Sequence, residues 1–172
     1  VKLVKDGELV RMSKRTGKAI QLGDLLDEVP VDSARFLFNT KEANTQMDFD
    51  LDLAVSQSKD NAVYYIQYAH ARIHSIYRQA EETGLKLGSQ PELSLLTDES
   101  EVGLIKKIEE YPEEVERAAR DYAPQRIARY SYDLASAFHS FYNKCRIMGV
   151  EPKLAESRLA LVTVTAHVIR QS

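Results

Sequence analysis

Apolar residues recur at steps of three and four along three long stretches, and this spacing predicts helices. From Asn61 to Gln79 the seam is Val63, Ile66, Ala69, Ile73 and Ile76, running on to Ala80. From Pro124 to Cys145 it is Ile127, Ser131, Leu134, Phe138, Phe141 and Cys145, with Tyr130, Tyr132, His139, Tyr142, Asn143 and Arg146 around the remainder. Gly149 and Pro152 close that helix, and a last one starts near Lys153 with Leu154, Leu159, Val162, Ala166 and Ile169 facing inward. Between the first two lies a polar linker, Glu81 to Thr97, carrying Gly84, Gly88 and Pro91, whose Leu93, Leu95 and Leu96 pack down. A further helix is expected over Glu99–Tyr111. Pro112 breaks it and a new one begins at Glu113, so that Leu104, Ile108, Tyr111, Val115, Ala118 and Tyr122 form one apolar row.

The first sixty residues have another rhythm. Val1, Leu3, Leu9, Val10 and Met12 flank Asp6-Gly7, a two-residue turn signal, which predicts a hairpin over residues 1–12. Two short helices follow: one over residues 23–29 ended by Pro30, and one from Ser33 to Asn39 capped by Asp32. Asp48, Asp50 and Asp52 are read as the acidic first turn of a helix reaching Ser58. The pattern as a whole predicts a mainly α protein.

Composition narrows the class. The chain has 172 residues, 44% hydrophobic and 28% charged, as expected of a globular chain with a real core. No apolar run is long enough to span a membrane. Cys145 stands alone, so no intrachain disulfide forms, and a reducing cytoplasmic setting is expected. The first residue is Val, which suggests a piece of a longer protein. The net charge of −3 is unevenly spread: +4 over residues 1–18, −6 over 19–60, +1 over 61–90, −6 over 91–122 and +4 over 123–172. Such blocks permit a cationic face for nucleic acid. The acidic block 91–122 is expected to form an outer face.

Three groups of residues carry candidate chemistry. Ser13-Lys14-Arg15-Thr16-Gly17-Lys18 concentrates cations, hydroxyls and one glycine, which suits a loop around phosphate or simply an exposed basic loop. It is not a P-loop, because Ala19 stands where Ser or Thr is required. The Asp48–Asp52 spacing suggests a calcium loop, but Leu53 replaces the obligatory Gly and Lys59 the bidentate Glu. His70 and His74 are spaced as a zinc pair, but Ala71 replaces the zincin Glu, so they are read as ordinary histidines and no metal site is expected. Tyr64, Tyr65, Tyr68, Arg72 and Arg78 remain. They suit either the rim of a core or a polar, anionic partner.

Several of these segments resemble one family. Arg11-Met12-Ser13-Lys14-Arg15 is similar to the Lys-Met-Ser-Lys-Ser loop of class I aminoacyl-tRNA synthetases, with Arg11 and Arg15 replacing the first lysine and the last serine. Its extension through Gly17 and Lys18, the run Met47–Ala54, and above all Val63-Tyr64-Tyr65-Ile66-Gln67-Tyr68-Ala69-His70-Ala71-Arg72 resemble arginyl-tRNA synthetases in particular. The block Ala155–Val162 resembles the last helix of the family's anticodon-binding domain. The Asp-Ala-Leu-Arg motif that names this domain is replaced here by Glu156-Ser157-Arg158-Leu159. The helix pattern still runs at Ser172, so the family's C-terminal segment is expected to lie beyond it.

The resemblance implies an antiparallel helical bundle, residues 41–172, that grips the anticodon arm of arginine tRNA. It is preceded by a hairpin and loop, residues 1–40, left from a catalytic domain. In such an enzyme Lys14 and Ser13, with Arg11, Met12 and Gly17, close over the phosphates of ATP and its Mg2+ during arginine activation. The candidates for tRNA contact are Tyr65, Tyr68, Arg72, Tyr142, Arg146 and Arg158, and Arg129 is a further phosphate partner. The isolated chain lacks the His-Ile-Gly-His-type motif and the nucleotide-binding sheet. It is therefore expected to be a monomer that makes no arginyl-adenylate and holds no cofactor itself. The competing reading is a helical protein-interaction module without RNA.

Overall fold

The computed structural model describes residues 1–10, 21–42, 44–88 and 90–172. The chain starts with β1 (Lys2–Lys5) and β2 (Glu8–Leu9), antiparallel, with Val4 opposite Leu9. Asp6 and Gly7 both take positive φ, 54° and 75°, as a tight hairpin turn requires. Helices α1 (Leu22–Glu28) and α2 (Val31–Asn39) follow, separated by Pro30. The second starts two residues before the expected Ser33. Pro30 itself takes the cap position there, and Asp32 lies within the first turn without capping.

The acidic run does not open as a helix. Asp48–Asp50 forms β3, parallel to β1, with Phe49 opposite Leu3. The reason is alternation: Phe49 is wholly buried and stacks on Phe38 at 5.1 Å, while Asp48 stays in solvent. Only then does α3 begin (Leu51–Val55), with the Asp50 carboxylate accepting from the Leu53 amide at 2.9 Å. The expected helix to Ser58 is thus cut to five residues.

The bundle comprises α4 (Ala62–Thr83), α5 (Glu99–Glu109), α6 (Tyr111–Arg120), α7 (Gln125–Lys144) and α8 (Pro152–Gln171). Helix α7 is central, packing on all four others. Asn61 caps α4, accepting from the Val63 and Tyr64 amides, and Gly84 ends it at φ 71°. Helix α6 starts at Tyr111 and takes Pro112 into its first turn, two residues earlier than expected. Of its apolar row, Ala118 is buried but Tyr122 is 93% exposed.

Two cores result. Ile73, Ile76, Leu104, Leu134, Phe138, Phe141 and Val162 lie in the bundle. Leu3, Leu25, Val29, Ala34, Met47, Phe49, Leu51 and Ala54 form a smaller one. Met47, Phe49, Leu51 and Ala54 therefore pack with residues of the first forty.

Candidate nucleic-acid interface

Helices α4 and α7 lie side by side and present one aromatic–cationic cluster. Tyr65, Tyr68 and Arg72 are spaced three and four apart on α4 and so share a face. Facing them on α7 are Tyr132, His139 and Tyr142. The His139 ring is 4.5 Å from Tyr65 and 5.4 Å from Tyr68, centre to centre. It is only 5% exposed, and its Nε2 lies 3.4 Å from the Tyr65 carbonyl. A carbonyl only accepts, so Nε2 carries the proton. Burial holds the pKa of His139 below the usual histidine value, and the Arg72 charge pushes the same way. The ring packs against both tyrosines.

Tyr65 is half-buried, tilted against Tyr132 at 5.4 Å, and Tyr68 is 41% exposed. The Arg72 guanidinium lies 4.6 Å from the Tyr68 ring centre and 4.3 Å from that of Tyr142, and it also donates to the Tyr68 hydroxyl. Each cation–π contact of this kind contributes about 0.5–2 kcal/mol, depending on desolvation. The tyrosines pack at the core's rim, where Tyr65 and Tyr142 are half-buried and Tyr68 keeps part of its surface in solvent.

The remaining expected contacts divide. Arg146 is exposed at the start of the α7–α8 loop. Arg158 points elsewhere. Its Nε donates to Glu101 at 2.6 Å, with the two side chains 12% and 1% exposed, and a second nitrogen donates to the Arg146 carbonyl at 2.5 Å. Its guanidinium is thus engaged in the protein interior, not turned to solvent. The same pair corrects the expectation of a wholly outer acidic segment: Glu101 is its inward-facing member. Arg129 lines a polar cavity of about 380 Å3 together with Glu42, Glu110, Glu114 and Asp133, carboxylates that compete with any phosphate. The loop bearing Arg11, Met12, Ser13, Lys14 and Gly17 lies outside the described residues.

Tyr130, expected among the decorating residues of α7, is 3% exposed and donates to the Lys107 carbonyl at 2.8 Å. Burial raises its phenol pKa far above the ordinary value. His139 was expected among them too, and it is equally buried. What would have revealed its place is the seven-residue step from Tyr132, which puts both on the stripe facing α4. Cys145 is buried, and that burial raises its thiol pKa. His70 and His74 touch edge to face at 4.6 Å, and no group of three or more metal-binding side chains occurs among the described residues. No described helix is long and apolar enough to cross a membrane.

Residues 66–172 match the family model of the DALR anticodon binding domain. The chain belongs to that family. It is 51% identical over 174 residues to the arginine–tRNA ligase of Caldanaerobacter subterraneus subsp. tengcongensis, an alignment covering all of this chain and 31% of that protein. Among solved structures it is similar to a Campylobacter jejuni chain provisionally assigned as an arginyl-tRNA synthetase (TM-score 0.85, 31% identity, 99% of this chain and 36% of that one). It is also similar to Thermus thermophilus arginyl-tRNA synthetase (TM-score 0.77, 25% identity, 97% of this chain and 32% of that one). The chain spans about a third of the length of the curated relatives it matches.

Proposed function

We propose that this chain is the tRNA-gripping part of an arginine–tRNA ligase, which activates arginine with ATP and transfers it to its tRNA. The observation that carries this reading is the cluster of Tyr65, Tyr68, Arg72 and Tyr142, a partly exposed set of aromatic rings gathered around one cation. Unpaired bases of an anticodon loop stack on such faces, each for about 1–3 kcal/mol, and guanidinium groups meet the phosphates between them. Arg72 and Arg146 take that second part. Arg158 acts through its hold on the Arg146 backbone. The small core of residues 1–55 belongs with the catalytic part, and the bundle from residue 61 onward is the anticodon-binding domain. In the whole enzyme, which works in the cytoplasm as a monomer, Lys14 and Ser13 would meet the phosphates of Mg2+-bound ATP. There charge builds as the arginine carboxylate attacks the α-phosphate.

Gel-shift titration of the chain with arginine tRNA and with an unrelated tRNA tests the reading. Saturable, salt-sensitive binding is expected, preferring arginine tRNA and weakened roughly 5- to 100-fold by Tyr142→Ala, the range for one lost stacking partner. Equal binding of both tRNAs would sink it in favour of a protein-interaction module.

A further inference from the structure

We infer that His70 and His74 together bind one divalent transition-metal ion of tetragonal preference, nickel or copper, on the outer side of α4. The two imidazoles supply nitrogen ligands, and water fills the other positions. A spacing of four puts both rings on one side of the helix. At about 3.6 residues per turn, His70 stands about 200° round from Tyr68, and His74 the same from Arg72. The pair is therefore turned away from the aromatic–cationic cluster, and it stands independently of the RNA-binding reading.

The geometry selects the ion. The ring centres are 4.6 Å apart and the ring planes meet at 65°. A metal–imidazole bond of about 2.0–2.1 Å places each ring centre about 3.2 Å from the ion. Two centres 4.6 Å apart then subtend about 90° at it, whereas a tetrahedral zinc ion would hold them about 5.2 Å apart. A right angle joins neighbouring positions of the square or tetragonal shell that Ni2+ and Cu2+ adopt with nitrogen and oxygen ligands. Ala71, which rules out a zincin, is no obstacle to such a site, since it needs no glutamate beside the first histidine.

The pair is accessible and its backbone is fixed. His74 is exposed and His70 half-buried, while Ala69 and Ile73 beside them are wholly buried and anchor this turn of α4. Tyr77 packs edge-on against His74 at 5.6 Å, which restricts the ring before an ion arrives. Burial, the neighbouring His74 and the Arg170 guanidinium of α8 all hold the pKa of His70 below the usual histidine value, so its ring offers a lone pair at neutral pH. Arg170 also repels a bound cation, and no group of three or more His, Cys, Asp or Glu side chains suited to a metal occurs among the described residues. The ion is thus held by two protein ligands and exchanges readily.

The test is calorimetric titration of the 172-residue chain with NiCl2, CuCl2 and ZnCl2, repeated on His70→Ala, on His74→Ala and on His167→Ala, a control at an exposed histidine of α8. Saturable Ni2+ binding is expected, with Cu2+ tighter and Zn2+ weaker. His70→Ala and His74→Ala should each weaken Ni2+ at least roughly tenfold, because either change removes the second ligand that the same helix delivers at high effective concentration. His167→Ala should leave the affinity unchanged. In the electron paramagnetic resonance spectrum of the Cu2+ form, nitrogen hyperfine splitting from two imidazoles should fall to that of one in either α4 variant. Affinity unchanged in both α4 variants, or lost equally in His167→Ala, would overturn the site, and Zn2+ binding more tightly than Ni2+ would overturn its tetragonal geometry. Both histidines lie outside the bundle core, so the variants keep the fold, which circular dichroism would verify; if His70→Ala did not, His74→Ala at the exposed position decides.

Discussion

Arg158 of α8 and Glu101 of α5 are 57 residues apart in sequence and meet almost without water. Glu101 also accepts from the Asp98 amide at 2.8 Å, so one carboxylate closes the start of α5 and anchors α8. Removing the cation alone leaves a buried charge unpaired. Arg158→Ala is therefore expected to cost about 3–5 kcal/mol in denaturant unfolding, and the double variant Glu101→Leu/Arg158→Leu to recover much of it. A cost below about 1 kcal/mol, the range of surface pairs, would contradict the burial. Neither residue's role was legible beforehand. An arginine in a family-like block looks the same whether it faces RNA or a carboxylate, and Glu101 was one acid among ten in its segment. His139 belongs at this scale too. Its folded pKa is depressed, so below about pH 6.5 the unfolded chain binds more protons than the folded one. Stability is full above that pH and falls as pH drops through the window beneath it. His70, also depressed by burial, contributes in the same direction. The loss in unfolding midpoint between pH 7 and pH 5.5 should be smaller in His139→Phe, and an unchanged loss would remove His139 from the cause.

At the scale of elements, the long helices were readable because their apolar seams run over five turns, and the core residues of α4 and α7 fall where the periodicity puts them. The short elements were not. β3 exists because Phe49 finds Leu3 across a parallel pairing with a strand 46 residues earlier, and nothing local to Asp48–Asp50 announces that partner. Asn61 links the two regimes. It is 4% exposed, caps α4, and donates to the carbonyls of Ala54 and Ser56 at the end of α3. Asn61→Ala should destabilise the protein by about 1–3 kcal/mol, combining a lost cap with unsatisfied carbonyls. Chemical denaturation measures this directly, and Asn61→Asp, which keeps the cap but not the amide donor, should lie between the two. Equal midpoints for the Ala variant and the parent would mean that Asn61 does not join the small core to the bundle.

For the molecule as a whole, two cores of unequal size imply two unequal tasks. The larger carries the aromatic cluster. The smaller is built from residues that precede and follow, in sequence, the Arg11–Lys18 segment, which the family resemblance assigns to ATP. In the full-length enzyme, Lys14→Ala should slow adenylate formation by about 10²–10³, the loss typical of one preorganised transition-state contact, with tRNA affinity nearly unchanged. The 172-residue chain alone should give no arginine-dependent ATP–pyrophosphate exchange above background. The family and the bundle could be read from ordered motifs. The division of each helix surface between packing and recognition could not, because it depends on which side chains α7 brings up against α4. The most direct test is a competition between arginine tRNA and the same tRNA carrying the anticodon loop of an unrelated one, both bound to this chain at fixed salt. A loss of at least about tenfold on exchanging the loop is the predicted result, the worth of one or two hydrogen bonds to the edges of unstacked loop bases. Equal binding of the two RNAs would contradict anticodon recognition by the α4–α7 face.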